Sequence, residues 1–252
     1  MGKESGLGAA YYVDGIEVSG DTQSFERIAN ILSTLPMTGI DKFAMERKPG
    51  ALNGEINWTA FFNPATDETH DTLGALPRTD RIVTYCHKRA GAMIPAASMV
   101  AKQLSYDPNR SMDGALLFKV NSSCNGYTLD WGYTVTNGQR TDTAATDGTG
   151  RDFNGLGGGS AFGLQAFLHV LAFTGTSAVV KLQESSDNGS SDAWADVTGG
   201  AFAAVTTAPQ GQRIATARDL TVERYLRVVT TGTFSNLVFL VQVNVNRVVN
   251  NP

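Results

Sequence analysis

The sequence predicts a mainly β protein: a β-sandwich or barrel with one packed α-helix, followed by a second β-sandwich-like module. Three observations carry that expectation. Apolar runs recur at 164–171 (LQAFLHVL), 178–182 (AVVKL), 201–205 (AFAAV), 225–229 (YLRVV) and 237–245 (LVFLVQVNV). Thr174-Gly175-Thr176, Asp187-Asn188-Gly189, Thr198-Gly199-Gly200 and Thr230-Thr231-Gly232 separate them as turn signals. Strands of about five residues at spacings of roughly 8–12 are the signature of sandwiches and barrels. The segment 54–62 (GEINWTAFF) alternates Ile56, Trp58 and Ala60 with Asn57 and Thr59, the period of a half-buried strand. The third observation is that convincing helical spacing is confined to one segment, 21–35.

In chain order, residues 1–10 (MGKESGLGAA) are small and polar and read as a flexible N-terminal arm. Tyr11-Tyr12-Val13 enters a short strand, Asp14-Gly15 turns it, and residues 16–18 return. In 21–35 (DTQSFERIANILSTL), Phe25, Ile28, Ile31, Leu32 and Leu35 fall on one helical face. Asp21 or Thr22 caps its start and Pro36 stops it. Residues 37–47 and 54–62 then read as strands, connected through Lys48-Pro49-Gly50 and Asn53-Gly54. Residues 70–76 form a helical turn ended by Pro77, and 81–88 a strand. Residues 96–106 fit a strand or a helix, and 115–120 and 127–131 read as strands around the Asn125-Gly126 turn.

From 136 to 160 the chain runs TNGQRTDTAATDGTGRDFNGLGGGS, nearly without apolar residues, which reads as a linker or a long loop. The expected organisation is therefore an arm at 1–10, a β domain at 11–135, this linker, and a C-terminal β module at 161–252.

Composition narrows the function. At 252 residues the chain is long enough to bury about 70–75% of its unfolded surface, without help from a disulfide or metal. Charged residues make up 17%, below the usual quarter, and there are 27 glycines; both suit a surface covered by neighbouring subunits. The net charge of −4 argues against a general nucleic-acid binder. Arg47-Lys48 and His87-Lys88-Arg89 are local basic clusters, either solvated strand ends or contacts to an acidic neighbouring subunit. Cys86 and Cys124 provide no disulfide framework. Residues 1–20 lack the pattern of a signal peptide, and no apolar stretch reaches the length of a membrane span. Synthesis in a reducing cytoplasm without membrane insertion is the expectation.

The residues that carry chemistry elsewhere lack the required arrangement here. His70, His87 and His169 show no metal-ligand spacing, and Cys86 and His87 point to opposite faces of a strand. His169 lies in an apolar strand and reads as a structural histidine. The Gly-rich run 155–163 lacks the Gly-Lys-Ser/Thr ending of a phosphate loop. The acidic stretch 184–196 (ESSDNGSSDAWAD) misses the calcium-loop register and reads as a hairpin. Gly158-Gly159-Ser160-Ala161-Phe162 departs from Gly-x-Ser-x-Gly at its last position. No catalytic, cofactor-binding or metal-binding residue is therefore expected, and the chain reads as a building part rather than an enzyme.

The strings VDGIEVSGDTQSFERI and TGIDKFAMERKPGALNGEINWTAFFN resemble the major tail (tail-tube) proteins of long-tailed bacteriophages, most of all those of phages infecting Actinobacteria. The segments YDPNRSMDGALLFKVNSSCNGYTLDWG, VKLQESSDNG, WADVTGG and RYLRVVTTG are similar to the same kind of virion β protein. The resemblance implies a tail-tube-type β fold and a virion structural protein of the tail, synthesised in the host cytoplasm. It implies homo-oligomeric six-fold rings stacked helically into a tube through which DNA passes transiently and non-specifically during ejection. A pseudo-six-fold trimer is the alternative if the tube fold is duplicated. The partners implied are further copies and other tail proteins: tape measure, terminator and distal tail. On this resemblance the arm and the 37–54 loop are candidate contacts between rings, through Lys3, Glu4, Leu7, Tyr11, Tyr12, Phe43, Arg47, Lys48 and Pro49. Two other classes stay open. One is a capsid decoration or other virion structural protein. The other is a carbohydrate- or receptor-binding module, with Trp131 and Trp194 as its candidate aromatics if they are not core.

Overall fold

The computed structural model describes residues 5–154 and 158–247. Its elements in chain order begin with β1 (Ala10–Val13), β2 (Ile16–Glu17), β3 (Thr22–Pro36) and β4 (Arg47–Phe61). A one-turn helix α1 (Thr69–Leu73) follows, then β5 (Arg81–Cys86), β6 (Pro95–Gln103), β7 (Asp107–Arg110), β8 (Leu116–Cys124) and β9 (Asp130–Thr134). Three short strands come next: β10 (Arg140–Asp142), β11 (Thr146–Asp147) and β12 (Arg151–Asp152). The last four are β13 (Leu164–Ser185), β14 (Ala195–Ala201), β15 (Gln210–Ala215) and β16 (Tyr225–Val245). The protein is mainly β, as expected, and its ladders are antiparallel.

The chain divides into two compact units. The first takes Met1–Gly20, Arg81–Ser98 and Asp130–Pro252, the second Asp21–Asp80 and Met99–Leu129. These units cut across the expected division into 11–135 and 161–252. The polar segment 136–160 is not a linker in its described part, because β10, β11 and β12 all pair with β16. Strands of two or three residues cannot display an alternation, which is why the segment reads as loop.

In the first unit, β13 and β16 pair from Leu164↔Val245 to Ser185↔Tyr225. The separate runs expected at 164–171 and 178–182 are one strand, as are those at 225–229 and 237–245. The residues read as turns lie inside the ladder, where Gly175 opposes Phe234 and Gly232 opposes Ala178. Register shifts between Val170 and Ser177 absorb the small residues as bulges, which bend a strand without ending it. Alternation then does the rest. Leu164, Ala166, Leu168 and Val170 share one core with Ala178, Val180 and Leu182, and with Phe239, Val241 and Val243 of β16. Each Leu, Val or Phe side chain among them contributes about 1.5–3 kcal/mol on burial. Likewise Thr198-Gly199-Gly200 lies within β14, with Gly199 at a φ of 74° beside a register shift. Of the expected strand 201–205, Ala201 ends β14 and Val205 makes an isolated bridge to Ala178.

Another core cluster of this unit joins Ala10 and Tyr12 of β1 to Cys86, Ala96 and Leu240. Asp14-Gly15 turns β1 into β2 as expected, with φ values of 47° and 85°. A Cβ at Gly15 would collide with the Val170 carbonyl and come within 2.7 Å of the Gln210 nitrogen. Both are backbone atoms with little freedom to move. Gly15→Ala is therefore expected to cost about 1–3 kcal/mol, read as a lower urea midpoint, and an unchanged midpoint would refute the close packing.

In the second unit β3 and β4 form a long hairpin, β4 pairs with β8, and β8 also pairs with β7 and with the second half of β6. The helix expected over 21–35 is instead strand β3. Bulges account for the helical spacing. Thr22, Phe25 and Ile28 oppose Ala60, Trp58 and Ile56, so a period of two on β4 becomes a period of three on β3. Residues 38–46, expected as part of a strand, form the hairpin tip. Ile56, Trp58, Ala60, Phe118 and Val120 are buried between the strands, with Trp58 and Phe118 edge to face at 6.4 Å. The α1 turn overlaps the expected 70–76 and is tethered by Asp21, whose carboxylate accepts from the Thr69 hydroxyl at 3.0 Å.

Candidate functional site

The β3–β4 hairpin carries the largest concentration of uncovered apolar side chains. Leu32, Leu35, Met37, Ile40, Phe43 and Met45 are all exposed, and Ile40 and Phe43 at the tip reach 110% of their reference exposure. The tip is an ordered loop. Met37 N–H donates to the Glu46 carbonyl at 2.9 Å and Glu46 N–H to the Thr38 hydroxyl at 3.0 Å. Lys42 lies 3.6 Å from Asp41 and 3.9 Å from Glu46. Among the described residues β4 is the one strand that β3 pairs with, so β3 is an edge strand of its sheet.

The structure brings together part of the expected contact set. Phe43 is on this tip, and Arg47, Lys48 and Pro49 start β4 opposite Pro36, Leu35 and Thr34, all exposed. Leu7 is exposed ahead of β1. Lys3 and Glu4 lie outside the described residues. Tyr11 and Tyr12 are corrected: both are buried, Tyr12 at 0% exposure, because β1 is flanked by β2 and β5 and packs against Leu240. Their rings belong to the interior of the subunit and present no contact surface. Ile40, Met37 and Met45 escaped the sequence reading because a run expected as a strand hides an apolar tip. The signal lay in Thr38-Gly39, a turn pair inside that run.

A second exposed feature lies in the first unit. Trp131 of β9 is 49% exposed and meets Tyr85 of β5 edge to face at 6.5 Å. With His87, Met93, Ile94 and Pro95 they line a groove of about 550 Å³. Trp194, by contrast, is half-buried under the Arg227 guanidinium, 4.7 Å from its ring, and packs against Gly150 and Gly189.

Several titratable groups are held by burial or by hydrogen bonds. His169 is fully buried: its Nδ1 accepts from Gly15 N–H at 3.1 Å and its Nε2 meets the Thr84 hydroxyl at 2.7 Å. Burial pulls its imidazole down to about 3. Burial pushes the Cys86 thiol up to about 12, with the Glu17 carboxylate adding to the shift, so Cys86 is not a thiolate nucleophile. Cys124 accepts from Gly54 N–H at 3.0 Å, and both cysteines are free thiols. In the acidic loop after β13, the Asp187 carboxylate accepts from the N–H groups of Ser190 at 2.9 Å and Ser191 at 2.7 Å. Asp192 accepts from Ser186 N–H at 2.8 Å. These bonds hold both carboxyls below the usual range, and the loop closes on its own backbone. Among the described residues no group of His, Cys, Asp and Glu has the arrangement of a metal site, and no helix is long and apolar enough to cross a membrane.

No family model and no curated protein matches the chain. A solved structure, that of the Dit protein of phage SPP1, described as a paradigm of the hub adsorption apparatus in phages infecting Gram-positive hosts, aligns with it. The alignment covers 94% of this chain and 98% of that one, at 12% identity and a TM-score of 0.32. That likeness is too slight to transfer an activity.

Proposed function

We propose that the chain is a structural subunit of a phage virion tail, which assembles with copies of itself into stacked rings that form the tail tube. The observation that carries this reading is the β3–β4 hairpin, with its uncovered apolar tip and its edge strand β3. Contiguous exposed apolar surface marks an interaction site, and an edge strand is a template for a further strand. A hairpin that docks on a different surface of the next copy makes a heterologous contact, which closes into rings or continues as a filament. The resemblance of the 13–28 and 38–63 strings to tail-tube proteins supports the same reading, with six-fold rings as the proposed symmetry. Phe43, Arg47, Lys48, Pro49 and Leu7 are the proposed contacts, joined by Ile40, Met37 and Met45. DNA passage, the other tail proteins and residence in the virion tail belong to this proposal.

The test is negative-stain electron microscopy of the purified chain at rising concentration, with Ile40→Ser/Phe43→Ser beside it. The parent chain is expected to form rings or tubes. The double variant is expected to fold with unchanged thermal stability, since neither side chain is in a core, and to remain monomeric. Burial of the two side chains is worth about 3–6 kcal/mol per contact, enough to abolish association at micromolar concentrations. Tubes formed by the variant would remove the hairpin from the mechanism. Uniform small particles of the parent chain at every concentration would instead favour a decoration subunit.

The Trp131–Tyr85 groove favours a second reading, a carbohydrate- or receptor-binding module. Under it the unassembled chain binds glycan and Trp131→Ala removes that binding.

A further inference from the structure

The first unit contains a polar cleft of about 370 Å³ over β16 at Val228, walled by Thr136, Asn137, Arg140, Gly148, Thr149 and Arg151. The guanidiniums on and around it have their own carboxylates, with one exception. Arg140 is bidentate to Asp142, with Nε–Oδ1 and Nη2–Oδ2 both 2.8 Å, and donates also to the Val228 carbonyl. Arg227 reaches Asp147 at 2.9 Å, and Arg224 reaches Asp152 at 2.6 Å. Arg151 donates its Nε–H to the Val135 carbonyl at 3.1 Å, and its Nη groups have no acceptor among the described residues. Of the charged residues that line the cleft, Arg140 is matched by Asp142 and Asp147 by Arg227, so the Arg151 charge is left without a carboxylate.

The surroundings sharpen that excess. Burial and the neighbouring Arg140 charge both hold the Arg151 guanidinium below the usual arginine range. An anion in the cleft would offset the one guanidinium charge that has no carboxylate. Donors for such an anion converge here. Thr136 accepts from Val241 N–H at 3.2 Å, which leaves its own hydroxyl hydrogen to donate. Arg140 keeps one Nη1 hydrogen beyond its bond to Val228. Gly148 brings the β11–β12 loop down onto Arg140: a Cβ there would collide with the Arg140 Nη1 and the Val228 carbonyl.

We propose that this cleft is an oxyanion-binding site in which Arg151 presents its Nη edge to a phosphate or carboxylate group. A guanidinium fork suits either, through two parallel charge-assisted hydrogen bonds. The group has two possible sources, free phosphate or an acidic side chain of another protein, and two probes separate them. Calorimetric titration of the full chain is done with inorganic phosphate and with acetate, at ionic strength held constant with sodium chloride. Saturable binding of phosphate alone assigns free phosphate, and acetate binding of equal strength assigns a carboxylate partner. Arg151→Gln is expected to weaken either at least about tenfold, while Arg110→Gln, an exposed arginine on β7, leaves it unchanged. Binding of neither probe, or equal binding by Arg151→Gln and the parent chain, overturns the site. A measurement on the unaltered chain guards against a variant that does not fold. Phenylglyoxal labelling of Arg151, read by mass spectrometry, is expected to slow at least about fivefold in saturating anion while labelling of Arg110 does not; equal rates at both arginines overturn the proposal.

Discussion

On acidification from about pH 7 to about pH 4, the protein is expected to lose roughly 3 kcal/mol of stability through His169 alone. The imidazole has no solvent contact, and its folded-state value is drawn down to about 3. In the unfolded chain it takes a proton near the ordinary histidine value of about 6.5. Above that value both states are neutral and the group confers no pH dependence. Between the two values the unfolded chain binds a proton that the native chain refuses, so stability falls as pH falls, by about 1.4 kcal/mol per unit. The hydrogen bonds supply the reason. Nδ1 accepts from Gly15 N–H, so Nε2 carries the hydrogen and donates to Thr84, whose hydroxyl passes on to Ser98 at 2.7 Å. A second ring proton on Nδ1 would face a backbone donor in a site that excludes water. Urea unfolding at several pH values measures the slope, and His169→Gln isolates its origin. The variant should lose this share of the acid sensitivity, whatever its stability at neutral pH. Parallel slopes for variant and parent would mean that the imidazole is not held neutral.

Trp58→Ala should lower stability by about 3–5 kcal/mol, more than any surface substitution. Trp58 is 1% exposed on the inward face of β4, between Ile56 and Ala60 on the same strand, and opposes Phe25 on β3 and Val120 on β8. Removing it strips the edge-to-face contact with Phe118 and leaves a cavity that flanking backbone, fixed by ladders on both sides, cannot collapse to fill. Trp131→Ala is the matched control, since that ring is half in solvent, and should shift the unfolding midpoint little. Comparable losses for the two variants would overturn the assignment of Trp58 to the core.

Much of the β content was legible because strand alternation is local. The GEINWTAFF run placed Ile56, Trp58 and Ala60 on the buried face of β4, where they are found. The runs in 164–245 likewise gave the apolar faces of β13 and β16. Their continuity was not legible, since a ladder can hold the same residues as a turn: Gly175 and Gly232 look like hairpin ends, yet Gly175 sits at register shifts inside the ladder and Gly232 pairs in it without a break. The same ambiguity disguised β3, whose bulges convert strand alternation into helical spacing. Tyr11 and Tyr12 were misplaced because an aromatic pair after a polar N-terminus carries no mark of the strand, β5, that covers it. In the hairpin, the loop could be located from its punctuation, but the exposure of Ile40 depends on what the fold leaves uncovered. The unpaired charge on Arg151 is legible only in three dimensions, because Asp147 and Asp152, beside it in sequence, are taken by Arg227 and Arg224 from far along the chain.

The interleaving of the two units sets the timetable of biosynthesis. The second unit is complete once residue 129 has been made, while the first waits for β16, which ends at Val245. At ribosomal speeds of about 5–20 residues per second, those events are separated by on the order of 6–25 s. In the later part of that interval β13, the longest strand among the described residues, stands without its principal partner, which begins 40 residues after β13 ends. A nascent chain therefore displays its hairpin before it has a finished sheet.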